Sequence, residues 1–169
     1  MSRLSTFVMV ITGLLANMVV AEEMTSHDSH VHGEAQLTFV LDGNEAELAL
    51  VTAAGNIVGF EHQPANDAEK LQHKTQLDMI QSGRWFTPDP AANCTVNGQE
   101  QRIEADNEGH ADIYVNIQLL CQAPLKLNAM TFSLFELAPA LEQLKVQYLV
   151  DGTAGAATLD KSQPSLTLR

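Results

Sequence analysis

Basic residues are scarce in this chain, and their scarcity excludes one large class of partners. Lys and Arg number 9 against 21 Asp and Glu, which gives a formal net charge of −12 at pH 7. A surface with so few cations is a poor match for nucleic acid and for anionic membranes. An acidic field does concentrate divalent cations, although many acidic proteins bind no metal. We therefore expect neither nucleic acid nor a lipid surface as a partner.

Recognisable catalytic motifs are also missing. The sequence contains no Gly-x-Ser-x-Gly, no His-Glu-x-x-His and no glycine loop of the kind that cradles phosphates. Its two cysteines, Cys94 and Cys121, lack the Cys-x-x-Cys spacing of redox and zinc motifs. The sequence therefore predicts a protein that is not an enzyme.

The first 21 residues have the parts of a removable export signal. Arg3 supplies a short basic start, an apolar run follows from 7 to 15, and Val19-Val20-Ala21 fits a peptidase site. The run is shorter than the about 20 residues that a membrane span needs, and no cysteine near the cleavage point could carry a lipid anchor. Cleavage before Glu22 would leave 148 of the 169 residues, enough for a single domain at 22–169. In a Gram-negative bacterium this predicts a periplasmic protein without a membrane anchor.

A single disulfide is predicted between Cys94 and Cys121, because both cysteines would reach an oxidising compartment. A turn signal, Asp106-Asn107-Glu108-Gly109, lies midway between them and has strand-like sequence on either side. A hairpin closed at this turn places the two cysteines opposite each other at its open end. Two alternatives remain: Asn97-Gly98 could turn the chain earlier, and the cysteines could ligate a metal.

Alternating apolar residues predict an α+β fold, with a mostly antiparallel sheet of about seven strands and one main helix. In the first hairpin, Leu48 should lie opposite Phe39, and Leu50 opposite Leu37, so that both strands bury the same face.

The main helix should begin at Asn66, which forms a capping-box pattern with Glu69, and end at Ser82-Gly83. A narrow apolar stripe should hold it on the sheet. The segment from 85 to 90 is predicted as a proline-rich turn whose aromatic residues plug the helix end. The stripe consists of Ala68, Leu71, Leu77 and Ile80.

Three histidines and a carboxylate follow the export signal, at His27, Asp28, His30 and His32. In an extended segment, His30 and His32 would direct both imidazoles to the same side. Zn²⁺ prefers tetrahedral nitrogen and oxygen donors where thiolates are not available. The flexible arm at 22–33 is therefore a candidate zinc-binding segment, and a solvated tail without function is the alternative.

His62 could complete the site begun by the arm. It stands in Gly59-Phe60-Glu61-His62, on the connection that leaves the first hairpin and could return toward the start of the first strand. A hydrogen-bonded loop histidine is the alternative. The candidate site thus includes His30, His32 and His62.

Two other histidines, His73 and His110, are weaker candidates for metal ligands. His110 follows the predicted hairpin turn and is either a surface residue or a second, weaker site with Asp106, Glu108 and Asp112. His73 falls on the polar side of the predicted helix and should be solvated.

Copper and nickel are alternatives to zinc, because both accept imidazole. If cleavage occurred three residues later, Thr25-Ser26-His27 would form a free amino terminus that chelates Cu²⁺ or Ni²⁺ in a square plane.

In combination these motifs resemble the ZrgA-type family of zinc-regulated periplasmic proteins. The resemblance runs from His30-Val31-His32-Gly33 through Gly59-Phe60-Glu61-His62, the two cysteines and the segment 110–114, to the terminal 163–168. It implies zinc binding in the periplasm and an accessory part in zinc uptake, beside an ABC importer and its solute-binding protein. It also places His30, His32 and His62 at the family's histidine positions. Members often carry a long histidine- and acid-rich insert where this chain has only 106–110, which argues against high-capacity storage.

Two hypotheses follow for the whole chain. The first is a periplasmic zinc-binding protein that captures or buffers Zn²⁺ and assists its delivery to an importer. The second is an envelope interaction module that offers an edge or face of its sheet to a protein partner and whose histidines are incidental.

Overall fold

Two sheets and one main helix form the body of the protein. The structure is a computed structural model and describes residues 31–107 and 109–169. The predicted export signal and the residues of the arm up to His30 lie outside the described residues. The elements in chain order are β1 (Glu34–Asp42), β2 (Glu45–Ala53), α1 (Ala54–Val58), α2 (Asp67–Gln81), β3 (Phe86–Pro88), β4 (Cys94–Ala105), β5 (Ala111–Cys121), β6 (Ala129–Phe132), α3 (Leu134–Leu137), β7 (Gln143–Val150), β8 (Thr153–Asp160) and β9 (Ser165–Thr167).

The larger sheet has six strands in the order β4-β5-β2-β1-β7-β8, and the smaller has three in the order β3-β6-β9. Every pairing is antiparallel except that of β1 with β7. The predicted α+β class, mostly antiparallel sheet and single main helix are confirmed. The described residues form nine strands rather than about seven. None of their helices is long and apolar enough to cross a membrane.

The first hairpin has the predicted register. Leu37 pairs with Leu50 and Phe39 with Leu48, and each of the four side chains is at most 1% exposed. Burying each such side chain is worth about 1.5–3 kcal/mol. Because the period of a strand is two, a slip of one strand by one residue would move its buried side chains to the opposite face of the sheet, and this penalty holds the register.

The cysteine hairpin also forms as predicted. Cys94 and Cys121 are directly opposite in the β4–β5 ladder and are joined by a disulfide. The alternative of an early turn at Asn97-Gly98 is wrong, because the ladder continues past it with a shift in register between Val96 and Gly98. At this bulge, a Cβ at Gly98 would lie 2.6 Å from Oε1 of Gln118, so the Gln118 side chain would have to move if Gly98 were replaced.

The apolar stripe predicted for the helix is wrong in its first half. Leu71 is 67% exposed, and of the residues in α2 only Ile80 is buried. Leu77 packs partly against the core. At its start the helix is attached by a polar contact instead, since the Gln72 side chain donates to the carbonyl of Val58 at 2.6 Å.

The aromatic residues after the helix close its end, as predicted. Trp85 is fully buried, and its indole N–H donates to the carbonyl of Ile80 at 2.7 Å. The prediction of a turn from 85 to 90 is wrong for Phe86–Pro88, which form β3 by pairing with β6. A three-residue strand that ends in a proline carries no local signal, so only its pairing with β6 reveals it.

The disulfide should provide a measurable share of the stability. Cys94 and Cys121 are 27 residues apart, and closing a loop of that length stabilises the folded state by about 3.5 kcal/mol in the chain-entropy model. We expect reductant to lower the free energy of unfolding by about this amount in urea titrations. The double variant Cys94→Ser/Cys121→Ser is the control and should not respond to reductant. Identical midpoints for fully reduced and oxidised wild type would contradict the expectation.

Candidate metal centre

The antiparallel ladders bring several loops to one end of the large sheet. β1 begins where β2 ends, since Ala35 pairs with Thr52, and β5 begins beside the end of β2, since Ala53 pairs with Asp112. The turn before β1, the segment after α1 and the tip of the β4–β5 hairpin therefore share this end. The four histidines of the described residues lie on these loops or on the adjacent helix: His32, His62, His73 and His110.

Two pairs of potential metal ligands lie at this end: His32 with Glu61, and His110 with Asp106 in the hairpin tip. Nε2 of His32 lies 3.7 Å from Oε1 of Glu61; the histidine side chain is 70% exposed and the glutamate side chain 13%. Two donor atoms bound to one tetrahedral zinc at about 2.0–2.1 Å lie about 3.3 Å apart. The pair is thus within a few tenths of an ångström of the spacing that a single zinc ion requires.

A short turn positions His32. The Glu34 N–H donates to the carbonyl of Val31 at 3.2 Å, and the carbonyl of Gly33 accepts from the N–H groups of Glu142 and Gln143 at 2.8 and 2.9 Å. Gly33 has a φ of +82°, which favours glycine at this position. These contacts attach the backbone on both sides of His32 while its ring stays exposed.

Glu61 approaches His32 beside a glycine. A Cβ at Gly55 in α1 would lie 3.2 Å from Oε1 of Glu61 and 3.5 Å from Cε1 of His32. The missing side chain therefore leaves the room in which the two groups meet. Within the described part of the chain, the Glu61 carboxylate has no hydrogen bond and no ionic partner other than His32.

His62 is oriented by its own backbone. Nδ1 lies 2.9 Å from the carbonyl oxygen of Gln63, and since a carbonyl can only accept, this contact places the proton on Nδ1. In the neutral tautomer with this proton, Nε2 carries the lone pair with which an imidazole binds a metal. The ring is also stacked on Phe60 at 4.9 Å between centroids.

A cavity of about 220 Å³ lies beside His62. His73, predicted to be solvated, instead is half-buried and lines this cavity, with its ring 6.3 Å from that of Phe60. The helical period alone could not reveal this contact, because Phe60 belongs to a different segment. The lining residues are Ala54, Phe60, Glu61, His62, Gln63, Pro64, His73, Ile103, Ala105 and Ala111.

His110 lies next to the same cavity. Ala105 and Ala111, which flank the hairpin tip, line the cavity wall. In the tip, Asp106 accepts from the backbone N–H of His110 at 2.9 Å, and its other oxygen lies 3.2 Å from Nδ1 of the same residue. The hairpin tip and the segment after α1 therefore adjoin each other.

The predicted ligands do not all meet at one point. Residues 31–107 and 109–169 contain no group of three or more His, Cys, Asp or Glu side chains that could hold a metal ion. His32, His62 and His110 thus lie at one end of the sheet without forming a preformed set, and His27 and His30 lie outside the described residues. The pairing of His32 with Glu61 was missed from the sequence. The register of the first hairpin could have predicted this pairing, because it brings the start of β1 to the end of β2.

Imidazole and carboxylate donors gathered at one end of a sheet are typical of proteins that handle divalent metals. Residues 29–168 match the family model described as ZrgA family zinc uptake protein. The chain belongs to this family. Membership indicates a role in zinc uptake, and hence outside the cytoplasm, in a family of uptake proteins rather than of enzymes. A search of curated proteins finds no match.

The capping box that follows His62 should contribute to stability. The Asn66 side chain accepts from the N–H of Glu69 at 2.9 Å, and the Glu69 carboxylate accepts from the N–H of Ala65 at 2.7 Å. We expect Asn66→Ala to lower the free energy of unfolding by about 1 kcal/mol in urea titrations, because an N–H of the first turn loses its acceptor. Asn66→Ser retains an acceptor and should remain near wild type. Equal losses for the two variants would contradict the assignment.

Proposed function

We propose that this protein captures or buffers Zn²⁺ in the periplasm and assists its uptake, with an ABC zinc importer or its solute-binding protein as the recipient. The observation that carries the proposal is the 3.7 Å separation of His32 Nε2 and Glu61 Oε1 in a member of a zinc uptake family. Zinc is the cargo in this proposal.

The remaining ligands would come from the two segments that carry this pair. His30 stands two residues before His32 in the chain, so it would be the next donor that the arm offers to the same ion. His62 directly follows Glu61, and its Nε2 is available. Zinc takes three or four ligands in such sites. His32, Glu61 and His30 would supply three, with His62 or water as a fourth and with His27 and His110 as weaker, neighbouring donors.

An incomplete, exposed site suits the capture and release of a cargo ion. Structural zinc sites are closed by four protein ligands, whereas the His32 imidazole is mostly in solvent. A ligand from a recipient protein could approach from this open side and exchange with the arm. The single carboxylate of Glu61 offsets half the charge of the ion, which fits binding that can be reversed.

Zinc is favoured over copper and nickel by the family. The donor types alone do not discriminate, because imidazole and carboxylate bind Cu²⁺ more tightly than Zn²⁺ at most sites. Selectivity would then depend on metal availability in the compartment.

Calorimetric titration of the mature chain with Zn²⁺ tests the proposal. We expect the double variant His30→Ala/His32→Ala to lose zinc affinity by about 100-fold or more, beyond the 10- to 100-fold that loss of an outer-shell partner usually costs. Glu61→Gln keeps the shape of the side chain, removes its charge and should also weaken binding. The matched control is Glu45→Gln, which changes an exposed carboxylate at the other end of β2.

The outcomes are distinct. If the histidine and Glu61 variants gave the same zinc isotherms as wild type, the proposed site would be refuted. Tag-free wild-type protein that binds no zinc but co-purifies with an envelope protein would favour the interaction-module hypothesis instead.

A further inference from the structure

A buried amide lies directly beneath the turn that carries His32. Asn56, in α1, is 2% exposed and is one of three buried polar side chains in the described residues. Its Oδ1 accepts from the backbone N–H of Gly33 at 2.8 Å. Its Nδ2 donates to the carbonyl of Glu34 at 2.9 Å and to the hydroxyl of Thr52 at 3.0 Å, with the carbonyl of Val31 at 3.4 Å.

These contacts require an amide rather than any polar side chain. One end of the group faces an N–H and the other faces carbonyl oxygens, so an acceptor and a donor must stand side by side. Both protons of Nδ2 are used, and Thr52 in turn donates to the carbonyl of Glu34 at 3.1 Å. A buried network in which every member is satisfied holds its partners in one arrangement.

The same short helix also provides the room for Glu61. Gly55, adjacent to Asn56, is the residue whose missing side chain lets the Glu61 carboxylate and the His32 ring approach each other. α1 thus has two effects on His32. Asn56 bonds the backbone on both sides of the residue, and Gly55 leaves space beside its ring. Asn56 bonds the backbone on either side of His32 rather than its ring, so its effect on a ligand would act through that backbone.

We infer that Asn56 is a positioning residue for zinc: it holds the turn at 31–34 so that Nε2 of His32 stays within bonding range of an ion on Glu61. The inference rests on the proposed zinc-binding function. Without the amide, the segment would have to be ordered by the metal itself, and part of the binding free energy would be lost to that ordering.

The test is the isosteric variant Asn56→Asp in the full mature chain, titrated with Zn²⁺ by calorimetry. A carboxylate would set an oxygen against the carbonyl of Glu34 in place of a donor. We expect zinc affinity to fall about 10- to 100-fold, as for other groups that orient a ligand. Leu41→Ala, a buried residue at the opposite end of β1, is the control for lost stability alone and should keep wild-type affinity.

A double-variant cycle separates positioning from a general structural role. In a His32→Ala background, Asn56→Asp should cost little further affinity, because the residue through which it acts is gone. Equal losses in both backgrounds would overturn the inference, as would wild-type affinity in Asn56→Asp or an equal loss in Leu41→Ala.

If Asn56→Asp does not fold, Thr52→Val removes one acceptor from the same amide. It should produce a smaller loss of affinity, and no loss would overturn the inference.

The same data distinguish the two claims. If the wild-type protein binds no zinc, or if the His32→Ala variant binds zinc as tightly as wild type, both the proposed site and the inference are overturned. Wild type that depends on His32 but not on Asn56 overturns the inference alone.

Discussion

The register of three neighbouring antiparallel strands, β1, β2 and β5, is the constraint on which the rest of the structure depends. Their inward side chains form the centre of the core, so a slip of one residue in either ladder would expose it. The same pairing decides which loops meet. Once Ala35 lies opposite Thr52 and Ala53 opposite Asp112, the turn before β1, the segment after α1 and the tip of the cysteine hairpin must share one end.

At that end, rigid and exposed groups stand next to each other. Glu61 is mostly buried, and the turn around His32 is held by hydrogen bonds with Asn56, Glu142 and Gln143. The His32 ring itself remains in solvent. A fixed carboxylate with an accessible imidazole is chemically suited to an ion that must arrive and leave, which agrees with membership in a zinc uptake family.

Much of the fold follows from local patterns, and the failures have identifiable causes. The first hairpin, the disulfide and the capping box at Asn66 were predictable, because each depends on residues close in sequence or on strict alternation. The predicted helix stripe failed in its first half, where Leu71 is exposed and the helix is attached by the Gln72 side chain instead. β3 was missed because its three residues, the last of which is Pro88, form a strand only by pairing with β6.

The sequence by itself determined which types of donor are available, chiefly imidazoles and carboxylates. It also determined that both strands of the first hairpin bury the same face. Tertiary structure decided which donors are neighbours. It placed Glu61 against His32, His73 in the cavity beside His62, and Asn56 beneath the turn at 31–34. The physical reason is that residue types and short-range periods are encoded locally. A separation of a few ångströms between side chains far apart in the chain depends on the packing of every element between them.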